Sequence, residues 1–142
     1  MYRLADVWTQ QALESATLAI VPCRPGVLDL NAVQETIDYA RQVRVPYAVV
    51  INGAPPLRAG RESDSVTLVR EQLENLLVPV WGGQITQRIE YSLALAEGAG
   101  IHEFQPGDTA ADEIARLWRA IEKSVKAIRA ARHGQGTHSI AA

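Results

Sequence analysis

The chain alternates between two patterns of apolar residues. Three short continuous apolar runs, "TLAIVP" (17–22), "YAVVIN" (47–52) and "VPVW" (78–81), have the length and composition of buried strands. The segments around them carry apolar residues three or four positions apart, which predicts amphipathic helices. The predicted order is therefore α-β-α-β-α-β-α-α. Continuous apolar strands separated by helices are typical of an α/β fold with a parallel sheet covered on both faces.

Residues that commonly interrupt β-strands predict where the three strands end. Pro22 ends the first strand, the second closes at Asn52, and Gly82-Gly83 end the third at Trp81. In parallel α/β sheets, ligands bind beyond the carboxyl ends of the strands. The candidate binding loops, each of which contains an arginine, are therefore "PCRPGVLD", "NGAPPLRAGR" and "WGGQITQR".

Capping residues predict the helix ends. The predicted N-caps are, along the chain, Asp29, Ser63 or Asp64, and Asp108 or Thr109. A helix over about 87–97 is expected to stop at Gly98, because glycine suits the position after a helix. The last helix is expected to run to about residue 132. Its apolar stripe, which should dock on the body, consists of Ile114, Leu117, Trp118, Ile121, Val125 and Ile128.

Length, leader pattern and cysteine content indicate one cytoplasmic domain. The 142 residues are expected to form a single domain over 1–132 and a flexible C-terminal tail over 133–142. The first residues, "MYRLADVWTQ", carry acid and amide where a secretory leader needs an apolar run. No apolar run reaches the roughly 20 residues that span a bilayer. The single Cys23 excludes a disulfide framework within the chain, so we expect a cytoplasmic protein without membrane contact.

Three blocks of the sequence resemble the C-terminal part of ParA/MinD-type partition ATPases. They are "ATLAIVPCRPGVLDLNAVQET", "PYAVVINGAPPLR" and "QRIEYSLALAEGAGIHEFQPGDTAADEIARLW", and their order and spacing are similar to the family over most of the chain. The last block is the most specific, because a helix with Tyr and Ala leads through a Gly stop and a Pro-containing turn into "AADEI". The resemblance implies a three-layer, Rossmann-like fold of the P-loop NTPase type and a role in plasmid or chromosome segregation, with association to nucleoid or plasmid.

The chain departs from that family at the phosphate and metal positions. Family members carry a loop of the type G-K-G-G-x-G-K-T, whose glycine N–H groups and lysines hold the phosphates. Here the lysines are Lys123 and Lys126, both in the predicted last helix, and no glycine precedes Gly26. The three strands also end without the Asp that would hold Mg²⁺. We therefore expect a partial, truncated domain that is not an enzyme, has no catalytic residues and binds no ATP or ADP on its own.

The loop after the second strand carries the residues that the resemblance links to the nucleotide base. The Asn that closes the corresponding strand in the family contacts adenine, so Asn52 would form the hydrogen bond. Gly53, Pro55 and Pro56 would shape the rim of this vestigial base site. The alternative is that "NGAPP" is only a structural turn.

Basic residues form the candidate DNA-contact set. From residue 110 onward the chain has six Lys or Arg against three Asp or Glu, whereas the rest is acidic. In the resembling family, surface helices and loops bind DNA non-specifically, and Arg88 occupies an arginine position associated with DNA contact. The other candidates are Arg58, Arg61, Arg116, Arg119, Lys123 and Lys126. The alternative is a solvated basic face whose long stems cover apolar surface.

Cys23 and the histidines add no further predicted site. Arg24 beside Cys23 would lower a thiol pKa, but no histidine or carboxylate constellation supports a nucleophile. We therefore interpret Cys23 as a buried structural residue. His102, His133 and His138 lack metal-ligand spacing, so no metal site is expected.

The strand over 17–22 is predicted to lie at an open edge of the sheet. In the resembling fold its neighbour is the P-loop strand, so its backbone groups need another partner here. We expect a homodimer through this edge, or a hetero-partner such as a full-length ParA. The predicted function is a non-catalytic, partition-associated protein that acts through protein–protein contacts and weak DNA contact. The alternatives are one half of a split ATPase completed in trans by a chain with the P-loop, and an interaction module without nucleotide or DNA binding.

Overall fold

The computed structural model describes residues 4–137, with side-chain positions for residues 7–134. Its centre is a sheet of three parallel strands in the order β1-β2-β3: β1 Ala19–Cys23, β2 Tyr47–Ala54 and β3 Val80–Thr86. The helices within this range are α1 Leu4–Ser15, α2 Val27–Gln42, α3 Asp64–Asn75, α4 Ile89–Ala96, the short α5 Ile101–Phe104 and α6 Thr109–Thr137. The predicted α/β class, parallel sheet and flanking helices are confirmed. Affiliation with the P-loop NTPases stays a prediction.

Helices cover both faces of the sheet because of the way the strands are connected. The strand order is sequential, so two successive right-handed crossovers carry α2 and α3 to the same face. The core on this face consists of strand residues Val21, Cys23, Val49 and Ile51 against helix residues Val33, Ile37, Val66, Val69 and Leu73. On the opposite face α6 packs along β3. The sheet therefore lies between two helical layers.

β1 continues through Pro22 to Cys23, so the prediction that Pro22 ends the strand is wrong. The N–H of Ala19 donates to the carbonyl of Pro46 at 2.8 Å. The backbone N–H and carbonyl groups of Val21 and Cys23 point toward β2 in the same way, because alternate residues of a strand share one direction. Ile20 and Pro22 therefore present their backbone groups to the open side of the sheet. Proline is tolerated because its missing N–H falls where the ladder with β2 needs no donor.

β2 and β3 also run past their predicted ends at Asn52 and Trp81. Val49 of β2 pairs with Val80 of β3, whereas Ile51 of β2 pairs with Gln84 of β3. Two residues along β2 therefore correspond to four residues along β3. The extra residues of β3 form a bulge. The glycine pair at 82–83 therefore lies inside a bulged strand and does not end it.

Arg70 of α3 stabilises this bulge. Its guanidinium donates to the carbonyls of Trp81 and Gly83, both at 2.8 Å. Glu62 holds the same guanidinium through hydrogen bonds of 2.7 to 2.9 Å. A charged donor thereby satisfies carbonyls of the bulged segment and ties α3 to β3.

The helix ends agree with the sequence at two positions and differ at a third. Ser63 caps α3 by accepting a hydrogen bond from the N–H of Val66 at 3.4 Å. Gly98 follows α4 with a φ of +67°, as predicted. α2 begins directly after Gly26, so the predicted cap Asp29 is wrong and lies in the first turn of the helix. Local hydrogen bonds place Ser63 and Gly98, which is why the sequence pattern identified them.

α6 begins directly after Asp108 and continues to Thr137, beyond the predicted end at about 132. Residues 138–142 of the predicted tail lie outside the described residues. Trp118 is 60% exposed, so the prediction that it docks on the body is wrong. The other members of the stripe, Ile114, Leu117, Ile121, Val125 and Ile128, are half-buried.

Candidate functional site at the open edge of the sheet

β1 forms an open edge of the sheet. Among the described residues it pairs with β2 alone. The edge strand was predicted over residues 17–22 and is observed over Ala19–Cys23. The outward backbone groups are the N–H and carbonyl of Ile20 and the carbonyl of Pro22. An unpaired strand edge is a template on which another chain can add a strand.

A cavity of about 670 Å³ lies beside this edge, between α1 and α2, and we call it the β1-edge cavity. Ala12, Leu13 and Ala16 form its wall on α1, and Ala32 and Val33 form its wall on α2. Thr9 and Thr36 add hydroxyl groups to these walls, but most of the wall residues are apolar, so the cavity offers apolar surface next to the unpaired backbone. The arrangement suits an extended peptide segment.

One end of the β1-edge cavity is polar. Arg24, Asp29 and Asn52 line it near the carboxyl ends of β1 and β2. Gly53 has a φ of +64°, and a Cβ at that position would lie 3.8 Å from Cγ of Arg24. Arg24 therefore lies over the last residues of β2 and lines the cavity together with Asp29 and Asn52.

The residues predicted to contact a nucleotide base face two different cavities. Asn52 lines the β1-edge cavity, whereas Pro55 and Pro56 line a cavity of about 420 Å³ in the β2–α3 loop. Gly53 lies under Arg24. Asn52 and the two prolines therefore line separate cavities, and a base site formed by these residues stays a prediction.

Arg88 forms an ion pair with a buried carboxylate. Its Nη2 lies 3.2 Å from Oε1 of Glu113, whose side chain is 6% exposed. Thr86 donates its N–H and its hydroxyl to the same carboxylate, at 3.0 and 2.8 Å. Burial raises the pKa of Glu113, but the hydrogen bonds from Thr86 and Arg88 outweigh it and lower that pKa overall. The hydrogen bond to Glu113 also raises the pKa of Arg88. Arg88 therefore joins the start of α4 to α6.

The other predicted DNA-contact residues lie in two separate places. Arg58 and Arg61 belong to the β2–α3 loop, beyond the carboxyl end of the sheet. The four basic residues of α6 are exposed: Arg116, Arg119, Lys123 and Lys126. Near its start, α6 contacts Thr86 at the end of β3, and farther along it passes Pro79 just before that strand begins. Lys123 and Lys126 therefore lie toward the opposite end of the sheet from the loop arginines.

Cys23 is buried in the core, as predicted. It is 1% exposed, and its thiol donates to the carbonyl of Arg24 at 3.3 Å. Burial, with a smaller effect of Asp29, raises the pKa of the thiol, so the neighbouring arginine does not activate it. In the part of the chain that the structure describes, no group of three or more His, Cys, Asp and Glu side chains could hold a metal ion. His138 lies outside that part.

Comparisons with family models and with curated proteins give no match at a significant level. Over the described range, no helix has the length and apolar character needed to cross a membrane. The resemblance to ParA/MinD-type ATPases stays a prediction from the sequence.

Sequence reasoning missed two charged residues that hold β3 to its neighbouring helices, Arg70 and Glu113. Arg70 lies on the same side of α3 as Val66 and Leu73, four residues after one and three before the other. Glu113 lies three residues after the buried Ala110. A charged residue inside an apolar helical stripe was the available signal, because it needs a buried partner.

Proposed function

We propose that this chain is a ParA/MinD-like, non-catalytic partition-associated protein that acts by binding another protein chain along β1. The supporting observation is the unpaired edge of the sheet at β1. β1 presents the unpaired backbone of Ile20 and Pro22 beside a largely apolar cavity. Such an edge favours strand addition at β1.

A second copy of the chain is the partner that we favour. Two antiparallel copies of β1 centred on Ile20 would exchange N–H to carbonyl hydrogen bonds in both directions, because the outward groups of Ile20 are self-complementary. Pro22 lies beyond this central pair, so its missing N–H removes one hydrogen bond on each side. The pairing would join two three-stranded sheets into one and cover the apolar walls of both cavities.

A chain that adds a parallel strand is the alternative partner. This arrangement is expected if the protein is one half of a split ATPase that a P-loop chain completes in trans. The N–H and carbonyl of Ile20 and the carbonyl of Pro22 would then enter a ladder like that between β1 and β2. The alternatives differ in whether association needs ATP or a second kind of chain.

Size-exclusion chromatography with light scattering, with and without ATP and Mg²⁺, tests the proposal. We expect twice the mass of one chain, independent of ATP. Ala12→Arg places a long cation at an exposed position in the wall of the β1-edge cavity and should reduce the mass to that of one chain. Gln11→Arg is the matched control, because it adds the same charge at an exposed neighbouring position outside the cavity wall.

Each outcome decides between the candidates. A folded single chain, unaffected by ATP or by a P-loop chain, contradicts binding along β1. Assembly that requires ATP or a P-loop chain favours the split ATPase. Equal loss of the dimer in the Ala12→Arg and Gln11→Arg variants contradicts the cavity as the interface.

Weak, non-specific DNA contact through α6 is a second candidate function. The observation that favours it is the exposure of all four basic residues of the stripe Arg116, Arg119, Lys123 and Lys126. Such contact is expected to be salt-sensitive, with a Kd on the order of 10⁻⁴–10⁻⁶ M. Reversing the charges of Lys123 and Lys126 to Glu should abolish it. An unchanged DNA titration would favour an interaction module without DNA binding.

A further inference from the structure

We propose that the hairpin Arg58–Arg61 in the β2–α3 loop is a phosphate-binding site. Arg58 and Arg61 exchange two backbone hydrogen bonds of 3.0 and 2.9 Å, which close the hairpin. The two residues between them, Ala59 and Gly60, have φ values of +50° and +72°, as in a type I′ turn. This site goes beyond the contact along β1 and uses none of its residues.

The hairpin holds two positive charges side by side. Residues of a hydrogen-bonded antiparallel pair carry their side chains on the same face, so both guanidinium groups leave the hairpin in one direction. Like charges in this arrangement destabilise each other unless an anion lies between them. Among the described side chains, neither Arg58 nor Arg61 has an ion-pair partner. Glu62, the adjacent acid, is bound by Arg70 at 2.7 Å.

The loop that carries the hairpin is anchored at both ends. At its start, Nε2 of the buried Gln84 donates to the carbonyl of Pro55 at 3.0 Å. At its end, Glu62 is held by Arg70, and Ser63 caps α3. An anchored hairpin presents its side chains in a preorganised arrangement, so less conformational entropy is lost when a ligand binds.

The cavity of about 420 Å³ beside the hairpin has the chemistry of a phosphate site. Arg58 and Arg61 line it together with the apolar rings of Pro55 and Pro56. The planar guanidinium fork matches the oxygens of a phosphate group with paired hydrogen bonds. Two acids, Glu62 and Asp64, also line the cavity. Glu62 is neutralised by Arg70, whereas Asp64 opposes an anion there. Free phosphate, a nucleotide and a nucleic-acid backbone share the chemistry that this site recognises.

Amide NMR spectra of the full ¹⁵N-labelled chain test the site. The chain is titrated with sodium phosphate at constant ionic strength against chloride, then with ATP, and then with a short DNA duplex. We expect saturable shifts centred on residues 57–64. The double variant Arg58→Gln/Arg61→Gln should bind about tenfold more weakly or worse, because two charge-assisted hydrogen-bond donors are lost.

A matched control and a gain of affinity separate binding from folding. Arg44→Gln/Arg132→Gln removes the same charge from exposed positions near the opposite end of the sheet, since Arg44 precedes β2 and Arg132 lies late in α6. This variant should bind like the unmodified chain. Asp64→Asn should bind phosphate more tightly, which a merely structural loop would not do. Ser63 still caps α3 in that variant.

The three anions also identify the source of the phosphate. Stronger shifts with ATP or with the duplex than with phosphate, at equal phosphate concentration, assign the site to nucleotides or to nucleic acid. Absence of saturable shifts over residues 57–64 with all three overturns the proposal. The proposal is also overturned if the Arg58→Gln/Arg61→Gln variant binds phosphate as tightly as the unmodified chain, or if the Arg44→Gln/Arg132→Gln control is weakened equally. It is overturned as well if Asp64→Asn does not bind phosphate more tightly.

Discussion

At the scale of single residues, Gly83 shows how an absent side chain fixes the path of β3. A Cβ at Gly83 would lie 2.5 Å from two ring carbons of Trp81, so the indole ring folds back over this glycine. The carbonyl of Gly83 also accepts a hydrogen bond from Arg70. A Cβ at the neighbouring Gly82 meets nothing within 4 Å. The packing of Trp81 therefore requires glycine at one position of the pair and not at the other.

Gly83→Ala should destabilise the protein, and Gly82→Ala should not. The added methyl group at Gly83 must displace the Trp81 ring, which is expected to lower the free energy of unfolding by about 1–3 kcal/mol. Gly82→Ala is the matched control, expected within about 0.5 kcal/mol of the unmodified chain. Urea unfolding followed by tryptophan fluorescence measures both. Equal stability of the two variants would show that the Trp81 ring does not rest on Gly83.

At the scale of elements, three helices end in the same hydrogen-bond motif. After α2, α3 and α4, a residue with positive φ donates to the carbonyl three positions back, and the next residue donates to the carbonyl five positions back. The residue with positive φ is Gly98 after α4, but Arg44 after α2 and Leu77 after α3. Leu77 has a φ of +55° and is 86% exposed. It therefore carries the strain of a left-handed conformation without the benefit of burial.

Leu77→Gly should stabilise the protein. Relief of the left-handed strain exceeds the extra entropy of glycine in the unfolded chain, so we expect a gain of about 0.5–1 kcal/mol in the free energy of unfolding. Leu95→Gly is the control, because Leu95 is 78% exposed but lies inside α4. Glycine inside a helix should cost about 1 kcal/mol. Thermal unfolding of both variants checks the opposite signs, and a loss of stability in Leu77→Gly would contradict the strain.

At the scale of the whole molecule, Glu113 connects the end of the sheet to two helices. Its carboxylate, on α6, accepts hydrogen bonds from Thr86 of β3 and from Arg88 just before α4. Tyr91 of α4 donates to the carbonyl of Ala110 at 3.1 Å. Burial raises the pKa of the Tyr91 phenol to about 12, so it stays a donor at neutral pH. These contacts hold the carboxyl end of β3 to the helices that follow it.

Glu113→Gln should lower stability and flatten its dependence on acid pH. Arg88 is 27% exposed, so the ion pair is only partly buried, and loss of the charge on Glu113 is expected to cost about 1–3 kcal/mol at neutral pH. Because folding lowers the pKa of Glu113, its contribution is present above the ordinary value of 4.5 and is lost as pH falls through the folded pKa. The variant should therefore lose less stability than the unmodified chain between about pH 5 and pH 3.

Glu122→Gln provides the control for this pH dependence, because Glu122 is exposed on the same helix. Its free energy of unfolding should stay within about 0.5 kcal/mol of the unmodified chain. Urea unfolding at several pH values measures both variants. A Glu113→Gln variant with the same acid slope as the unmodified chain would show that another group causes the loss of stability.

The sequence predicted the strand at the candidate edge but not its end. The apolar run that became β1 was identified because Ala19, Val21 and Cys23 are buried and Ile20 is half-buried, which leaves a nearly continuous apolar pattern. Its end was predicted wrongly, because Pro22 breaks a ladder only when its nitrogen faces a paired strand. The base-contact set stays a prediction. Asn52 and Pro55 are close in the chain, but they line different cavities.

The sequence by itself determined the order of the main elements without the short α5, the α/β class, most of the buried faces and the local caps at Ser63 and Gly98. These features depend on the periodicity of burial or on hydrogen bonds within about five residues, so a short window contains their cause. The tertiary structure alone decided the bulge in β3, the hydrogen bonds of Arg70 to that bulge and the pairing of Arg88 with Glu113. In each of these features the interacting residues belong to different elements. Arg88 and Glu113, for example, are 25 residues apart in the chain. A charged side chain that leaves water needs such a partner, and only the packing of the elements brings it within reach.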